Sequence, residues 1–267
     1  MPFRSPSFEA VREVRIGDVV MGRQPVKIIS SVCASNAREM VEQASAIEAS
    51  GADIIEWRAD YFKESASWEN AVRAMLGAVN KPVVFTFRSR SEGGVRQTPV
   101  SESEYARIVT SAVASGLFQA VDIEFNRLYA QNLIAAARQV ALPCILSWHS
   151  FTPGEYDAQL GYFERVLKMH AMGPDVIKVV AMPAEGVDIA RFIHEVARAR
   201  SEAKIPEPLI AMCMGKTGAL TRIGSVAFGS CATFASAAKA SAPGQLDVAT
   251  TRALLELFAD EPETTQA

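Results

Sequence analysis

The sequence predicts an α/β protein folded as a single (β/α)8 barrel of the TIM type, and three observations support this. Short runs rich in Val, Ile and Phe recur along the chain, segments with helical periodicity lie between them, and 267 residues is a usual length for such a barrel. Parallel strands need long crossovers, and the gaps between the runs supply them. The predicted strands lie at 26–32, 53–57, 83–87, 119–125, 144–148, 176–182, 208–213 and 226–230.

Helical periodicity between the runs completes the alternation of strand and helix. The predicted helices lie at 37–50, 68–79, 103–115, 128–139, 156–172 and 188–201. An open, doubly wound sheet would use fewer strands and a glycine-rich dinucleotide turn, but no G-x-G-x-x-G follows the first run. The closed barrel is therefore the predicted architecture.

The two ends of the chain differ from the repeating pattern. Residues 11–22 alternate apolar and polar side chains around Gly17-Asp18, which predicts a β-hairpin that closes the bottom of the barrel. The tail at about 260–267 is rich in Glu, Thr and Pro, and we expect it to be disordered. We expect residues 1–267 to form one domain, because this length suits a single barrel.

Composition restricts the class of partner. The chain has 27 Lys and Arg against 30 Asp and Glu, a formal charge of -3, and no basic stripe, so a nucleic-acid partner is not expected. It contains no run of about 18 apolar residues and no apolar signal segment, so we expect neither a membrane partner nor export. The 3 histidines and 4 cysteines lack zinc or C-x-x-C spacing, which predicts no metal and a reducing cytoplasm. A small molecule is the expected partner.

Alternate residues of a barrel strand face the interior, and chemistry collects at the carboxyl ends of the strands. This alternation predicts an inward ring that consists of Ser31, Glu56, Arg58, Arg88, Glu124, His149 and Lys178. Burying charged groups is costly unless they are paired. The ring therefore indicates a pocket for a small, polar, anionic molecule, and the alternative is a purely structural network of ion pairs.

Lys178 is the strongest chemical signal in the ring, because the residues around it from Val176 to Met182 are apolar. Poor hydration favours the neutral amine, which can attack a carbonyl carbon and form a Schiff base. His149 ends the preceding strand, within reach for proton transfer. The alternatives are a lysine that extends to solvent at a strand edge and a hydrogen-bonded core histidine.

Three further polar features follow the predicted strands. Glu92, in the glycine-rich segment 91–97, either is solvated or turns towards His149, whereas inward parity favours Glu124 as the neighbour of that histidine. Arg222 follows the seventh strand, where such barrels often bind an anion, and the alternative is a solvated arginine. The Pro-Gly turn at 240–245 is either a lid or an ordinary surface turn.

These residues belong to motifs that resemble the type I 3-dehydroquinate dehydratases over nearly the whole chain. The motifs are KIISS at 27–31, EWRADYF at 56–62, FTFRS at 85–89, EGG at 92–94, SWHSF at 147–151, IKVVAMP at 177–183 and KTGALTRIGSVAFGSCATFASAAKASAPGQ at 216–245. Each motif is weak alone, but their order is highly specific.

The resemblance implies a homodimeric (β/α)8 barrel without cofactor or metal. The implied reaction is the dehydration of 3-dehydroquinate to 3-dehydroshikimate, in the shikimate pathway of aromatic amino acid biosynthesis. The resemblance also implies that Lys178 forms a Schiff base, that His149 transfers protons, that Glu92 rather than Glu124 supports the histidine, and that Arg222 holds the substrate carboxylate. The other implied substrate-binding positions are Ser31, Glu56, Arg58, Arg88, Ser241 and Gln245.

Two rival hypotheses are compatible with parts of the pattern. A class I aldolase barrel would use the same lysine for carbon–carbon cleavage, and one that acts on phosphorylated sugars would have a phosphate-binding glycine turn near strands seven and eight. A binding or regulatory protein could retain an inactive barrel, although Lys178, His149 and Arg222 argue against it. One departure from the family pattern is Ser150, which stands where many members have aspartate.

Overall fold

Eight parallel strands form a barrel in the computed structural model, which describes residues 11–64, 67–154, 161–237 and 242–258. The described residues contain ten strands, of which the first two form a separate hairpin and the other eight form the barrel. They are β1 (Val14–Ile16), β2 (Val19–Met21), β3 (Lys27–Val32), β4 (Ile54–Arg58), β5 (Val83–Thr86), β6 (Ala120–Glu124), β7 (Cys144–His149), β8 (Val176–Ala181), β9 (Leu209–Cys213) and β10 (Ala232–Phe234). Strands β3 to β9 pair in chain order, and β10 pairs with β3. A bridge between Leu209 and Ser230 brings the two outer strands of this order together. The predicted (β/α)8 fold is confirmed.

Eight α-helices within the described residues surround the barrel. They are α1 (Ala37–Ser50), α2 (Trp68–Leu76), α3 (Glu102–Ser115), α4 (Ala130–Gln139), α5 (Tyr162–Ala171), α6 (Gly186–Ser201), α7 (Gly215–Ile223) and α8 (Val248–Leu257). Local sequence sets their ends: at α1, Asn36 Oδ1 accepts a hydrogen bond from the Glu39 amide at 2.9 Å, and Gly51 ends the helix with φ 82°. The sequence predicted a start for α5 at 156, but residues 155–160 lie outside the described part of the chain.

The predicted amino-terminal hairpin is present. Strands β1 and β2 are antiparallel, Ile16 pairs with Val19, and the two residues between them form the turn, with Gly17 at φ 61°. Ile16 and Met21 are fully buried and pack with the apolar residues inside the barrel. The hairpin therefore closes the bottom of the barrel, as the alternation of residues 11–22 predicted.

Each barrel strand contributes one apolar residue to a floor and, two positions later, one residue to a second layer. The floor consists of Ile29, Ile54, Val84, Ala120, Ile145, Val176, Ile210 and Ala232, all buried in one interior cluster. The second layer consists of Ser31, Glu56, Thr86, Asp122, Ser147, Lys178, Met212 and Phe234. The intervening strand residues, such as Trp57 and Phe85, pack outward in the cluster beneath the helices. The predicted inward parity is therefore confirmed. The second layer, which is mostly polar and is called the polar layer below, lies on an apolar floor.

The eighth predicted strand, at 226–230, is wrong. Residues Ser225–Phe228 form a 3-10 helix, and the strand lies later, at Ala232–Phe234. Val226 and Phe228 are both buried beneath the helices, so a tight helical turn satisfies the apolar spacing that suggested a strand. Gly229, at φ 83°, then turns the chain into the barrel wall.

Three further expectations concern membrane crossing, the cysteines and the carboxyl-terminal tail. Among the described residues, no helix combines the length and the apolar character that a membrane crossing requires. Cysteines 33, 144, 213 and 231 are free thiols, the last three buried. The tail that we expect to be disordered, 260–267, lies outside the described residues.

Candidate active site

A pocket opens at the carboxyl ends of the barrel strands, directly above the polar layer. It brings together residues that the sequence placed far apart: Glu56, Arg58, Arg88, Glu92, His149, Lys178, Arg222 and Gln245. Its remaining walls are mostly apolar and include Phe151, Val180, Met212, Met214 and Phe234. Such a mixture of convergent charges and apolar walls is typical of a small-molecule site.

Lys178 lies at the base of this pocket and is only 4% exposed. Its Nζ is 3.3 Å from Glu56 Oε1 and 3.3 Å from Asp122 Oδ2, and it lies 4.4 Å from the centre of the Phe234 ring. The sequence predicted apolar surroundings, and this is wrong for the amine itself. The aliphatic residues on either side of Lys178 face the helices, so the amine lies between two carboxylates.

Glu56 reaches Lys178 from the opposite side of the barrel. Its other contacts are hydroxyl groups: Ser31 Oγ donates to Oε2 at 2.7 Å and Thr86 Oγ1 donates to Oε1 at 3.0 Å. Burial alone would raise the pKa of Glu56, but the positive charges of Lys178 and Arg58 lower that pKa to about 2. Glu56 is therefore an ionised carboxylate that is held in one orientation.

Arg58 and Asp60 form a two-point ion pair at the mouth of the pocket. Arg58 Nε donates to Asp60 Oδ1 and Nη2 donates to Oδ2, both at 2.8 Å. Burial opposes the charged guanidinium, but Asp60 and Glu56 raise the pKa of Arg58 above its ordinary value. The pair fixes Arg58 in the pocket wall and keeps it charged.

Arg88 contacts four of the polar side chains beneath the pocket. Its Nη2 donates to Asp122 Oδ1 at 2.9 Å, and its Nη1 donates to Ser147 Oγ at 2.9 Å and lies 3.4 Å from Glu124 and 3.5 Å from Glu92. Although burial opposes its charge, the carboxylates raise the pKa of Arg88. Arg88 therefore stabilises a group of buried carboxylates that would otherwise repel one another.

His149 ends β7 and contacts Glu92. The distance from His149 Nδ1 to Glu92 Oε2 is 3.0 Å, whereas the Glu124 carboxylate accepts hydrogen bonds from Arg88, from the Ser89 amide at 2.7 Å and from Arg127 at 2.8 Å. Inward parity favoured Glu124 as the histidine neighbour, and the contacts instead place Glu92 there, as the resemblance implied.

Glycine residues bring Glu92 into this position. Glu92 ends a short 3-10 helix, Arg90–Glu92, and Gly93 follows in the left-handed region at φ 87°. A Cβ at Gly93 would meet the Phe151 ring, and a Cβ at Gly94 would meet the Arg88 backbone. Only glycine therefore allows the chain to turn the Glu92 carboxylate back into the barrel.

Burial makes the His149–Glu92 pair electrostatically unusual. Burial, supported by the positive charges of Arg88, Lys178 and Arg58, lowers the pKa of His149 well below 6.5. Burial and the negative charge of Glu124 raise the pKa of Glu92, against the opposing effect of Arg88. The pair therefore holds a neutral imidazole at neutral pH, and such a ring can accept a proton.

Arg222 lies in the last turn of α7 and is 2% exposed. Its contacts are neutral: Nη1 lies 3.1 Å from Met212 Sδ and donates to the Phe234 carbonyl at 3.3 Å, and Nη2 donates to the Pro243 carbonyl at 3.4 Å. Among the described residues it forms no ion pair, and its buried Nε has no hydrogen-bond partner there. Burial lowers the pKa of Arg222 to about 10. The guanidinium is thus suited to receive an anion from the pocket.

The other predicted binding residues have mixed outcomes. Ser31 contacts Glu56 rather than lining the pocket itself, and Gln245 lines the pocket. Ser241 lies outside the described residues. Ser150, which replaces the family aspartate, is 4% exposed, and its amide donates to the Val180 carbonyl at 2.9 Å.

Sequence reasoning missed three residues that touch the key groups. Asp122 and Ser147 have the inward parity that identified Glu124 and His149, so the signal was present but was not used. Phe234 was missed because the eighth strand was placed too early in the chain.

Among the described residues, no group of three or more His, Cys, Asp or Glu side chains is arranged to hold a metal ion.

Comparisons with known proteins identify the family of this chain. A family model described as type I 3-dehydroquinase matches residues 28–262. The 3-dehydroquinate dehydratase of Salmonella paratyphi B is 32% identical over 257 residues, which cover 93% of this chain and 99% of that protein.

Solved structures show the same architecture. The 3-dehydroquinate dehydratase of Geobacillus kaustophilus HTA426 has a TM-score of 0.84 at 27% identity, and the match covers 96% of this chain and 98% of that one. The type I 3-dehydroquinate dehydratase of Clostridium difficile, crystallised with covalently modified comenic acid, has a TM-score of 0.85 at 24% identity and covers 93% and 98%. The family match and the Salmonella relative together show that this chain belongs to the type I 3-dehydroquinase family.

Proposed function

We propose that this protein converts 3-dehydroquinate into 3-dehydroshikimate and water through an imine at Lys178, a dehydration of the shikimate pathway. The main support is one arrangement: a buried amine faces a pocket that has a neutral histidine on one wall. On another wall is a guanidinium that has no ion-pair partner within the part of the chain that the structure describes. An amine, a proton carrier and an anion site are the three groups that an imine-dependent elimination from a carboxylate substrate needs.

Arg222 binds the substrate carboxylate in this proposal. A carboxylate that enters the pocket forms charge-assisted hydrogen bonds with a guanidinium whose other contacts are neutral. The hydroxyl groups and ketone region of the substrate then contact Glu56, Arg58, Arg88 and Gln245, which line the pocket, while Ser31 acts through its hydrogen bond to Glu56. Ser241, the last proposed binding residue, lies outside the described residues. Holding the substrate at several points fixes the ketone carbon against the Lys178 nitrogen.

Imine formation uses the Lys178 nitrogen and His149. The ammonium form of Lys178 first gives a proton to the imidazole, and the amine then forms a bond to the C3 carbon of the substrate. A second nitrogen hydrogen and the proton held by His149 leave with the former carbonyl oxygen as water. The positive charge remains on the protonated imine, so atoms and charge balance.

The elimination that follows uses the imine as an electron acceptor. His149 takes a proton from C2, and the C–H electron pair forms an enamine. The enamine nitrogen then re-forms the C=N bond, the C1–oxygen bond breaks, and His149 returns its proton to the leaving oxygen, which departs as water. Hydrolysis of the conjugated imine releases 3-dehydroshikimate and restores the Lys178 amine.

The turn that contains Pro243 and Gly244 covers one side of the pocket. The Pro243 carbonyl accepts hydrogen bonds from the Gly215 amide at 3.1 Å and from Arg222 at 3.4 Å, and a Cβ at Gly244 would meet the Gly215 backbone. The turn therefore packs on Arg222 and brings Gln245 to the pocket. We propose that it limits the access of water while the imine exists.

Borohydride trapping tests the covalent step. Reduction of the protein in the presence of 3-dehydroquinate should add the mass of a reduced adduct, and peptide mapping should place that mass on Lys178. Lys178→Met should give no adduct and only background dehydration, while Lys168→Met, which removes an exposed lysine of α5, should behave as the wild type. An adduct at another lysine, or none in the wild type, would reject the mechanism.

A homodimer and a cytoplasmic location complete the proposal. The family resemblance supports the homodimer, and four free thiols are typical of a reducing compartment. Sedimentation velocity tests the first part, and a single species with the mass of 28.8 kDa would contradict it. Fractionation of the source cells tests the second.

A further inference from the structure

Asp122 is a buried carboxylate in direct contact with the amine at the centre of the proposed chemistry. It lies on β6, is 1% exposed, and its Oδ2 accepts a hydrogen bond from Lys178 Nζ at 3.3 Å. Asp122 does not line the pocket that Glu56 and Lys178 line. It lines a smaller cavity together with Glu56, Lys178 and floor residues such as Ile145. Asp122 is therefore an anion next to the nitrogen that would become the imine.

The second carboxylate oxygen of Asp122 is held in place by two hydrogen bonds. Oδ1 accepts a hydrogen bond from Ser147 Oγ at 2.6 Å and another from Arg88 Nη2 at 2.9 Å. Ser147 is also the register partner of Lys178 in the sheet, so the hydroxyl that holds Asp122 lies on the strand next to the lysine. Each of these contacts suits an ionised carboxylate, and together they direct Oδ2 at the nitrogen.

Two carboxylates accept hydrogen bonds from the ammonium form of Lys178, but a protonated imine nitrogen can donate a hydrogen bond to only one of them. An ammonium has three N–H donors, whereas a protonated imine nitrogen has one. Glu56, the other contact at 3.3 Å, also accepts from two hydroxyl groups and lies in the pocket wall, where the proposed substrate binds. Asp122 does not line this pocket, so the proposed substrate would not displace it.

We propose that Asp122 is the counter-ion of the imine at Lys178 and keeps its nitrogen protonated through the elimination. The inference rests on the proposed function, because it concerns the imine of that reaction. A protonated imine withdraws electrons from C2 far better than a neutral imine does. A buried cation also needs an anion close by, since without one its burial is strongly unfavourable.

The aromatic ring of Phe234 supports a cation at the same place. Its centre lies 4.4 Å from Lys178 Nζ, within the range of a cation–π contact, and Phe234 is 7% exposed. The nitrogen therefore has an aromatic face and a fixed carboxylate around it, and both favour positive charge.

Cyanoborohydride provides the test, because it delivers hydride to a protonated imine much faster than to a neutral imine or a ketone. The rate of adduct formation on Lys178 with 3-dehydroquinate is measured by mass spectrometry between about pH 6 and pH 10. In Asp122→Asn, we expect the pH at which trapping falls to half to drop by about one to three units, because an opposite charge near the nitrogen is lost. At alkaline pH, trapping should therefore fall by at least about tenfold relative to the wild type.

Glu124→Gln is the matched control. Glu124 is another 1%-exposed carboxylate that contacts Arg88, at 3.4 Å, but it has no contact with Lys178 among the described residues. Its substitution should leave the midpoint of trapping unchanged. If Asp122→Asn does not fold, as judged by circular dichroism, Asp122→Thr supplies a second neutral variant with a β-branched side chain suited to a strand.

The possible outcomes distinguish a failure of the counter-ion role of Asp122 from a failure of the imine mechanism at Lys178. An unchanged midpoint in a folded Asp122 variant overturns the counter-ion role, even if turnover falls. A shift in Glu56→Gln without one in the Asp122 variants also overturns it and assigns the role to Glu56. If the wild type forms no adduct at all, the imine mechanism itself fails.

Discussion

The Nδ1 atom of His149 lies 3.0 Å from Oε2 of Glu92, two residues that are 57 positions apart in the chain. Glu92 reaches the histidine from the loop after β5, and a glycine turn is required for it to do so. The pair is largely buried beside three cations, and this environment keeps the imidazole neutral. This environment thus favours the basic form of His149 that the proposed mechanism uses to take a proton from C2.

The pH dependence of turnover should reflect this pair. Because the pKa of His149 in the ligand-free protein is lowered well below 6.5, the ring stays neutral as the pH falls through that value, and kcat/KM should be maintained there. We expect the acid limb of the kcat/KM profile below pH 6.5, and a loss of about 10²- to 10⁴-fold in kcat for His149→Ala at neutral pH. An acid limb centred at or above pH 6.5 would contradict the assignment of His149 as the base.

The lowered pKa of His149 also predicts that acid pH destabilises the fold. An unfolded histidine titrates near 6.5, whereas folded His149 resists protonation, so below that pH the unfolded state binds more protons. The contribution of His149 is fully present above pH 6.5 and is lost as the pH falls, at up to about 1.4 kcal/mol per pH unit. Urea unfolding between about pH 6.5 and 5 measures the slope.

His149→Gln is the control for that slope, which should be smaller in the variant. The interval from about pH 6.5 to 5 avoids the contribution of Glu56. The raised pKa of Glu92 acts with the opposite sign at acid pH in both proteins, so the difference between the two slopes is the readout for His149. The lowered pKa of Glu56, about 2 against an ordinary 4.5, gives stability that is lost only as the pH falls from 4.5 towards 2. Equal slopes in wild type and His149→Gln would show that His149 does not account for the effect.

Arg222 should separate substrate binding from folding. Replacing it by Met removes the charge-assisted hydrogen bonds to the substrate carboxylate, so KM should rise by about 10- to 100-fold. The same change removes a buried guanidinium that has no ion pair within the described residues, so the melting temperature of the free protein should not fall. Steady-state kinetics and calorimetry measure the two effects, and an unchanged KM would reject Arg222 as the carboxylate site.

Gly93→Ala should displace Glu92 from the histidine. The backbone at Gly93 has φ 87°, and an added Cβ would collide with the Phe151 ring. We expect a loss of about 1–3 kcal/mol of unfolding free energy and a drop in kcat larger than any change in KM. Gly51→Ala is the matched control, because Gly51 has a similar φ of 82° with nothing within 4 Å of the added Cβ. Equal kcat in the two variants would contradict the positioning role of the turn.

The period of two within each strand made much of the fold and site predictable. Eight apolar runs fixed the number of barrel strands, and alternation within them identified the inward faces that contain Glu56, Arg88 and Lys178. The eighth strand was misplaced, because a 3-10 turn buries Val226 and Phe228 with the same spacing as a short strand. The pattern of apolar residues along the chain therefore determined the barrel and, outside the eighth strand, which residues face its interior.

The partners of those inward residues depended on the tertiary structure. Parity favoured Glu124 as the neighbour of His149, where the structure has Glu92, and parity could not show that Lys178 lies between Glu56 and Asp122. The latter contacts join positions that are 122 and 56 residues apart in the chain. Alternation along a strand fixes which way a side chain points. The distance across the barrel, and with it the ion pairs that join different strands, is set by the closure and stagger of the whole sheet.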